Sequence, residues 1–107
     1  MKWAPFEAIW ARICCFQGQE FKTKTGLPFT YSVESDRAVW VKREGKRINQ
    51  RLAKSNFSQV YGLMQRRGGW LSGPNKINNL KIASGESQVR GSSYVWAILH
   101  DKKRRIV

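Results

Sequence analysis

Hydrophobic positions near the start of the chain recur with helical spacing. Phe6, Ile9, Trp10 and Ile13 stand at i, i+3, i+4 and i+7, which predicts a helix over residues 4–16. Pro5 falls in its first turn, where a missing N–H is harmless, and Gly18 is placed to stop it in a left-handed conformation. The period then changes to two. Residues 20–25 alternate, with Lys22 and Lys24 sharing a face; Phe29, Tyr31 and Val33 alternate against Thr30, Ser32 and Glu34; residues 38–43 form a third run. Turn signals at Gly26-Leu27-Pro28, Ser35-Asp36-Arg37 and Glu44-Gly45-Lys46 punctuate these runs. Short turns between alternating runs predict an antiparallel meander. After the third turn Arg47, Asn49 and Arg51 face away from Ile48, Gln50 and Leu52, as a fourth strand or an extended lead-in.

Helical spacing returns with Phe57, Val60, Tyr61 and Met64, predicting a helix over residues 56–67. Ser55 is its expected N-cap and Gly68-Gly69 its stop, with Arg66 and Arg67 at the negative end of the dipole. Residues 70–74 read as a linker, 76–80 as a short helix and the polar stretch 81–91 as a mobile loop. A last helix over residues 93–101 turns Val95, Ile98 and Leu99 inward. A bare meander would leave Phe29, Tyr31, Val33, Val39 and Val41 wet, so the helices must cover one of its faces. The expected class is α+β, a small antiparallel three- to four-stranded sheet packed against helices, in one domain over residues 1–107.

Composition narrows the class. Of 107 residues 41% are hydrophobic and 12% aromatic, with five Trp, too much apolar content for a disordered basic tail. Trp10 and Trp96 fit helical apolar patterns and read as core, whereas Trp40 and Trp70 are candidates for stacking. The longest apolar runs fall far short of the ~20 residues that span a bilayer, so no membrane partner is expected. Lys2, Glu7 and Arg12 interrupt any signal-peptide pattern. Cys14 and Cys15 are neighbours and cannot staple distant segments, which suits a reduced, cytoplasmic protein. With a single distant His they make no zinc set, and the sequence implies no cofactor.

Charge changes the picture most. Twenty Lys and Arg stand against seven Asp and Glu, a formal net charge of +13. Such an excess opposes folding by self-repulsion and points to an anionic partner, nucleic acid first. Lys42, Arg43, Lys46, Arg47, Arg51 and Lys54 put six bases in thirteen residues with Glu44 as the only acid. On an uncovered sheet face, Lys22, Lys24 and Lys42 would lie beside Trp40, a set suited to phosphate contacts with stacking or groove insertion. Arg66 and Arg67 extend the set, while Lys102-Lys103-Arg104-Arg105 reads first as a solvated tail. Neutralising about six phosphates would give a salt slope of about −5 on duplex DNA. The competing reading is protection of an edge strand by Lys.

Enzyme signatures are weak. His100 and Asp101 are adjacent and so do not face each other on a helix; a His at a helix C-terminus is more simply a cation favoured by the dipole. The glycines lack a phosphate-loop context. One enzymatic reading stays open, a small ribonuclease toxin clamping its transition state with Tyr31, Tyr61, Tyr94, Arg47 and Arg51.

The stretches Phe21-Lys-Thr-Lys-Thr-Gly-Leu-Pro-Phe-Thr-Tyr31 and Arg90-Gly-Ser-Ser-Tyr-Val-Trp-Ala-Ile-Leu-His-Asp101 resemble a group of short bacterial proteins of uncharacterised function. That resemblance covers most of the chain and implies no activity or site. Three short strands followed by a helix are also similar in layout to AP2-type and integrase arm-type DNA-binding modules, which implies a sheet that enters the major groove. The N-terminal helix and the long C-terminal half depart from that layout. The function expected is a small non-catalytic nucleic-acid-binding protein, duplex DNA favoured over RNA, in an accessory or regulatory role. The alternative is a basic inhibitor or bridging protein on an acidic protein partner or nuclease complex.

Overall fold

Strand-period and helix-period segments follow one another along the chain as the sequence predicts. In the computed structural model, which describes residues 3–74 and 91–107, the order is α1 (Phe6–Cys15), β1 (Phe21–Lys22), β2 (Pro28–Glu34), β3 (Ala38–Arg43), β4 (Lys46–Ala53), α2 (Lys54–Arg67) and α3 (Ser92–Leu99). The short helix expected at 76–80 and most of the loop expected over 81–91 lie outside the described residues. The protein is an α+β fold with a four-stranded antiparallel sheet in the order β1-β2-β3-β4.

The fourth alternating run is a full strand. Trp40 pairs with Arg51 and Lys42 with Arg47, with a bulge between the two rungs. Arg43 and Lys46 close the hairpin through Glu44 and Gly45, both at positive φ (53° and 76°), as a two-residue type I′ turn requires.

Alternation sends Phe29, Tyr31, Val39, Val41 and Leu52 to one face, where all are buried. Ile9 and Ile13 of α1, Phe57, Val60 and Met64 of α2, and Val95, Ile98 and Leu99 of α3 complete one cluster with them. Each such side chain contributes about 1.5–3 kcal/mol by leaving water. The Tyr31 hydroxyl is buried and donates to the Ile13 carbonyl oxygen at 2.5 Å, tying β2 to the end of α1. Burial first, then nearby thiols, pushes the Tyr31 pKa far up, so this donor keeps its proton.

Several element boundaries differ from expectation for local reasons. Pro5 is the N-cap of α1 rather than part of its first turn, its carbonyl accepting from the Ala8 N–H at 3.0 Å. The helix stops at Cys15, with Phe16 as its C-cap; Gly18 lies beyond it, in the expected left-handed conformation (φ 85°), and donates its N–H to the Tyr31 carbonyl. β1 is only two residues long because Thr23 turns the chain, its hydroxyl accepting from the Leu27 N–H at 3.0 Å. Ser55 is not the cap of α2. The strand β4 runs straight into the helix at Ala53, and the Lys54 N–H donates to the Arg37 carbonyl at 2.7 Å. At its other end α2 stops, as expected, on Gly68 in the left-handed region.

Candidate nucleic-acid interface

The helices occupy one face of the sheet, so strand residues of the other parity point outward. These are Thr30, Ser32 and Glu34 on β2, Trp40 and Lys42 on β3, and Arg47, Asn49 and Arg51 on β4, all partly or fully exposed. Cross-strand register brings Trp40 beside Arg51 and Lys42 beside Arg47. The Arg47 guanidinium carbon sits 3.5 Å from the centre of the Trp40 ring. Arg51 Nε donates to Glu34 Oε2 at 2.7 Å with both side chains more than 40% exposed, a pair of small net worth. The hydrogen bond from Arg51 holds the Glu34 carboxyl below its usual range, with Trp40 and Arg47 adding to the effect. Arg43 and Lys46 pair at the hairpin end with the opposite parity, and Arg43 lines a groove with Glu20 and Phe29 rather than the face of Trp40. Among the described residues none of Lys42, Arg43, Lys46 and Arg47 is in an ion pair.

The other sequence-predicted cations do not join this patch. Lys22 lies on β1, where it lines a separate groove with Glu20, Trp96 and Lys103, not the surface beside Trp40. Lys24 is in the turn after β1 and its ammonium donates to the Ser72 carbonyl at 2.8 Å. Lys54 is committed to partners within the chain. It reaches Asp36 at 3.1 Å and Glu7 at 3.5 Å, and it sits 5.5 Å from the centre of the Trp10 ring. Hydrogen bonding to Asp36 raises its pKa, and the reciprocal bond lowers that of Asp36. Arg66 and Arg67 are exposed at the C-terminal end of α2, as expected of residues that complement its dipole.

The basic C-terminal run, expected as a solvated tail, is held in the fold by Arg104 and Ile106, while Lys102, Lys103 and Arg105 are exposed. Arg104 packs 4.2 Å from the centre of the Phe21 ring, pairs with Asp101 at 3.0 Å, and is followed by the fully buried Ile106. His100 is likewise not a dipole-stabilised cation. It is buried, its Nε2 accepts from the Leu71 N–H at 2.9 Å, and its Nδ1 faces the Trp96 carbonyl at 2.9 Å. Burial lowers its pKa to about 4. Asp101 turns to Arg104 instead, so the two neighbours form no acid–base pair.

The tyrosines of the ribonuclease reading are not gathered at Arg47 and Arg51. Tyr31 faces the opposite side of the sheet, Tyr61 donates to the Ala4 carbonyl from α2, and Tyr94 packs edge-on against Phe29. Trp10 is core, as expected, with its indole N–H donating to Asp36 at 2.6 Å; Trp96 is only partly buried and donates to the Leu71 carbonyl at 3.1 Å.

No protein-family model matches the chain, and no curated protein or solved structure does either. The sheet face must therefore be read from its own chemistry. Sequence reasoning overlooked a second basic surface, a cleft lined by Arg12, Lys102 and Arg105 together with Trp3, Tyr61 and Trp70. Its residues come from both ends and the middle of the chain, and no spacing pattern joins them. Among the described residues no cluster of three His, Cys, Asp or Glu side chains could hold a metal ion, and no helix is long and apolar enough to cross a membrane.

Proposed function

We propose that the protein binds duplex DNA through the outer face of its sheet, without catalysis. The observation that carries this reading is the placement of Lys42 and Arg47 beside Trp40 on the face that the described helices leave free, with Arg43 and Lys46 at the adjoining hairpin end and none of the four in an ion pair among the described residues. Unpaired cations are available to replace condensed counterions on phosphates, which is the main source of affinity for DNA. A ribbon of strands fits the wide major groove of B-form DNA, whereas the deep, narrow major groove of A-form RNA excludes it. In this reading the four cations hold phosphates and the Trp40 ring, backed by Arg47, meets sugar or base edges. Arg51 and Lys54, engaged with carboxylates, supply little of the binding.

The test is a fluorescence titration with duplex DNA, single-stranded DNA and RNA over a salt series. Binding to duplex DNA with a log–log salt slope of about −4, persisting near 150 mM salt, supports the proposal. Preference for RNA, or no binding to any polymer above about 100 mM salt, overturns it. In the second case the basic face becomes a candidate surface for an acidic protein.

A further inference from the structure

The cleft on the helical layer has chemistry of its own. It has a volume of about 530 Å³ and is bordered by the segment before α1, by α1, by α2, by Trp70 beyond α2, and by the chain that follows α3. No strand residue lines it, so it is separate from the sheet face. Three rings, Trp3, Tyr61 and Trp70, meet three cations, Arg12, Lys102 and Arg105, and no acidic side chain among the described residues lines the space.

The rings are fixed before any ligand arrives. Trp3 meets Tyr61 edge-on with ring centres 5.8 Å apart, and the Tyr61 hydroxyl is tied to the Ala4 carbonyl. Trp70 is braced edge-on by the buried His100 ring at 5.5 Å. Rigid aromatic walls lower the ordering cost of capturing a planar group. The cations are placed as deliberately. Arg12 donates to the Ile106 carbonyl at 2.9 Å, which anchors the closing segment over α1. Arg105 holds a left-handed backbone conformation (φ 50°), unusual for a residue with a side chain, and its N–H donates to the Asp101 carbonyl at 3.1 Å. Asp101, next to Lys102 in the chain, is paired with Arg104 at 3.0 Å rather than with a cation of the cleft.

A planar aromatic group and an anion are thus called for together, in a volume within the usual range for small-ligand sites. We propose that this cleft binds a nucleoside phosphate, its base against the partly exposed Trp3 and Trp70 rings, with buried Tyr61 backing Trp3, and its phosphate on Lys102 and Arg105. Two sources share that chemistry, a free nucleotide and the phosphorylated end of a strand. The proposal does not depend on DNA binding by the sheet, and each can fail alone.

The probe is AMP, followed by calorimetry and by the indole N–H signals of Trp3 and Trp70. The expected result is saturable binding with Kd below about 1 mM. Adenosine and inorganic phosphate should each bind at least about tenfold more weakly, since each satisfies half the site. The double variant Lys102→Ala/Arg105→Gly changes two exposed side chains and suits the positive φ, so it should stay folded, as circular dichroism would verify, while losing AMP affinity at least about tenfold. Arg47→Ala should bind AMP as the parent does. Competition by a 5′-phosphorylated oligonucleotide but not its 5′-hydroxyl form would assign the ligand to strand ends; absence of competition would assign it to free nucleotides. No saturation up to several times ~1 mM overturns the proposal, as does equal binding of phosphate or adenosine alone, or a folded double variant that binds AMP unchanged.

Discussion

Arg47 sits over Trp40 with its guanidinium carbon 3.5 Å from the ring centre, on adjacent strands of the sheet face that the described helices leave free. This contact orders the exposed Arg47 side chain against a partly buried ring. It leaves the guanidinium edges able to donate to phosphate oxygens while its face is occupied. A cation–π contact at an exposed site contributes only about 0.5–1 kcal/mol, so its loss cannot unfold the protein. Arg47→Ala should therefore cost less than about 1 kcal/mol in urea unfolding, yet lower duplex affinity about tenfold and reduce the salt slope by about 1. Arg47→Lys keeps the charge but loses the planar stack, and should retain the slope with intermediate affinity. Unchanged binding by Arg47→Ala would remove this residue from the interface.

Lys54 makes the opposite prediction. It bridges Glu7 of α1 and Asp36 of the β2–β3 turn, and Asp36 in turn accepts the indole N–H of the buried Trp10. Its charge holds elements together rather than waiting for a ligand. Lys54→Met should lower the melting temperature measurably and leave the salt slope for duplex DNA unchanged. A loss of slope with no loss of stability would place Lys54 in the interface after all.

Where a residue's neighbours are close in sequence, its place was legible. The alternation around Tyr31, Val39 and Leu52, and the four-residue recurrence through Phe57, Val60, Tyr61 and Met64, are set by strand and helix geometry alone. The cations of the β3–β4 hairpin were legible for the same reason. Lys24 was not, because its partner is the Ser72 carbonyl, 48 positions away, and because the Thr23 hydroxyl ends β1 before it. Arg104 sits in a run of like charges that reads as solvated, yet Phe21 and Asp101 hold it. The Arg12 contact to Ile106 spans 94 positions, so the cleft it helps to build has no local sequence signal.

Gly91 starts α3 at a φ of 65°, and its α-carbon lies against β4. A β-carbon there would come within 2.5 Å of Gln50 Oε1 and 2.6 Å of Leu52 Cδ2. Leu52 is fully buried, so it cannot swing aside. Gly68 has a similar φ of 76°, but a β-carbon there meets nothing within 4 Å. Gly68→Ala should thus cost about 1 kcal/mol, the backbone penalty alone, and Gly91→Ala at least about 2–3 kcal/mol, because overpacking is added. Chemical denaturation of the two variants measures the difference directly. Equal costs would mean that α3 can shift away from β4.

His100 makes stability depend on pH in a definite window. The ring is 6% exposed, stacked on Trp96 with centres 4.8 Å apart, and it accepts the Leu71 N–H through Nε2, which only the neutral form can do. Burial holds its folded pKa at about 4, below the ordinary 6.5. Between these values the unfolded chain binds a proton that the folded chain refuses, so stability falls as the pH falls. The contribution is complete above pH 6.5 and is lost on the way down to about pH 4, a change on the order of 3 kcal/mol. Glu34 and Asp36, whose pKa values are lowered, add their own loss as the pH falls through the ordinary values of 4.5 and 3.8, so the interval from pH 7 to pH 5 is the one that reports His100. Urea midpoints should therefore decline from pH 7 to pH 5. His100→Gln keeps an acceptor within reach of Leu71 without a group that titrates there, and should be less stable at pH 7 but flat across the same interval. A parent protein equally stable at pH 7 and pH 5 would show that the ring can be protonated in place, and that the Leu71 N–H does not depend on it.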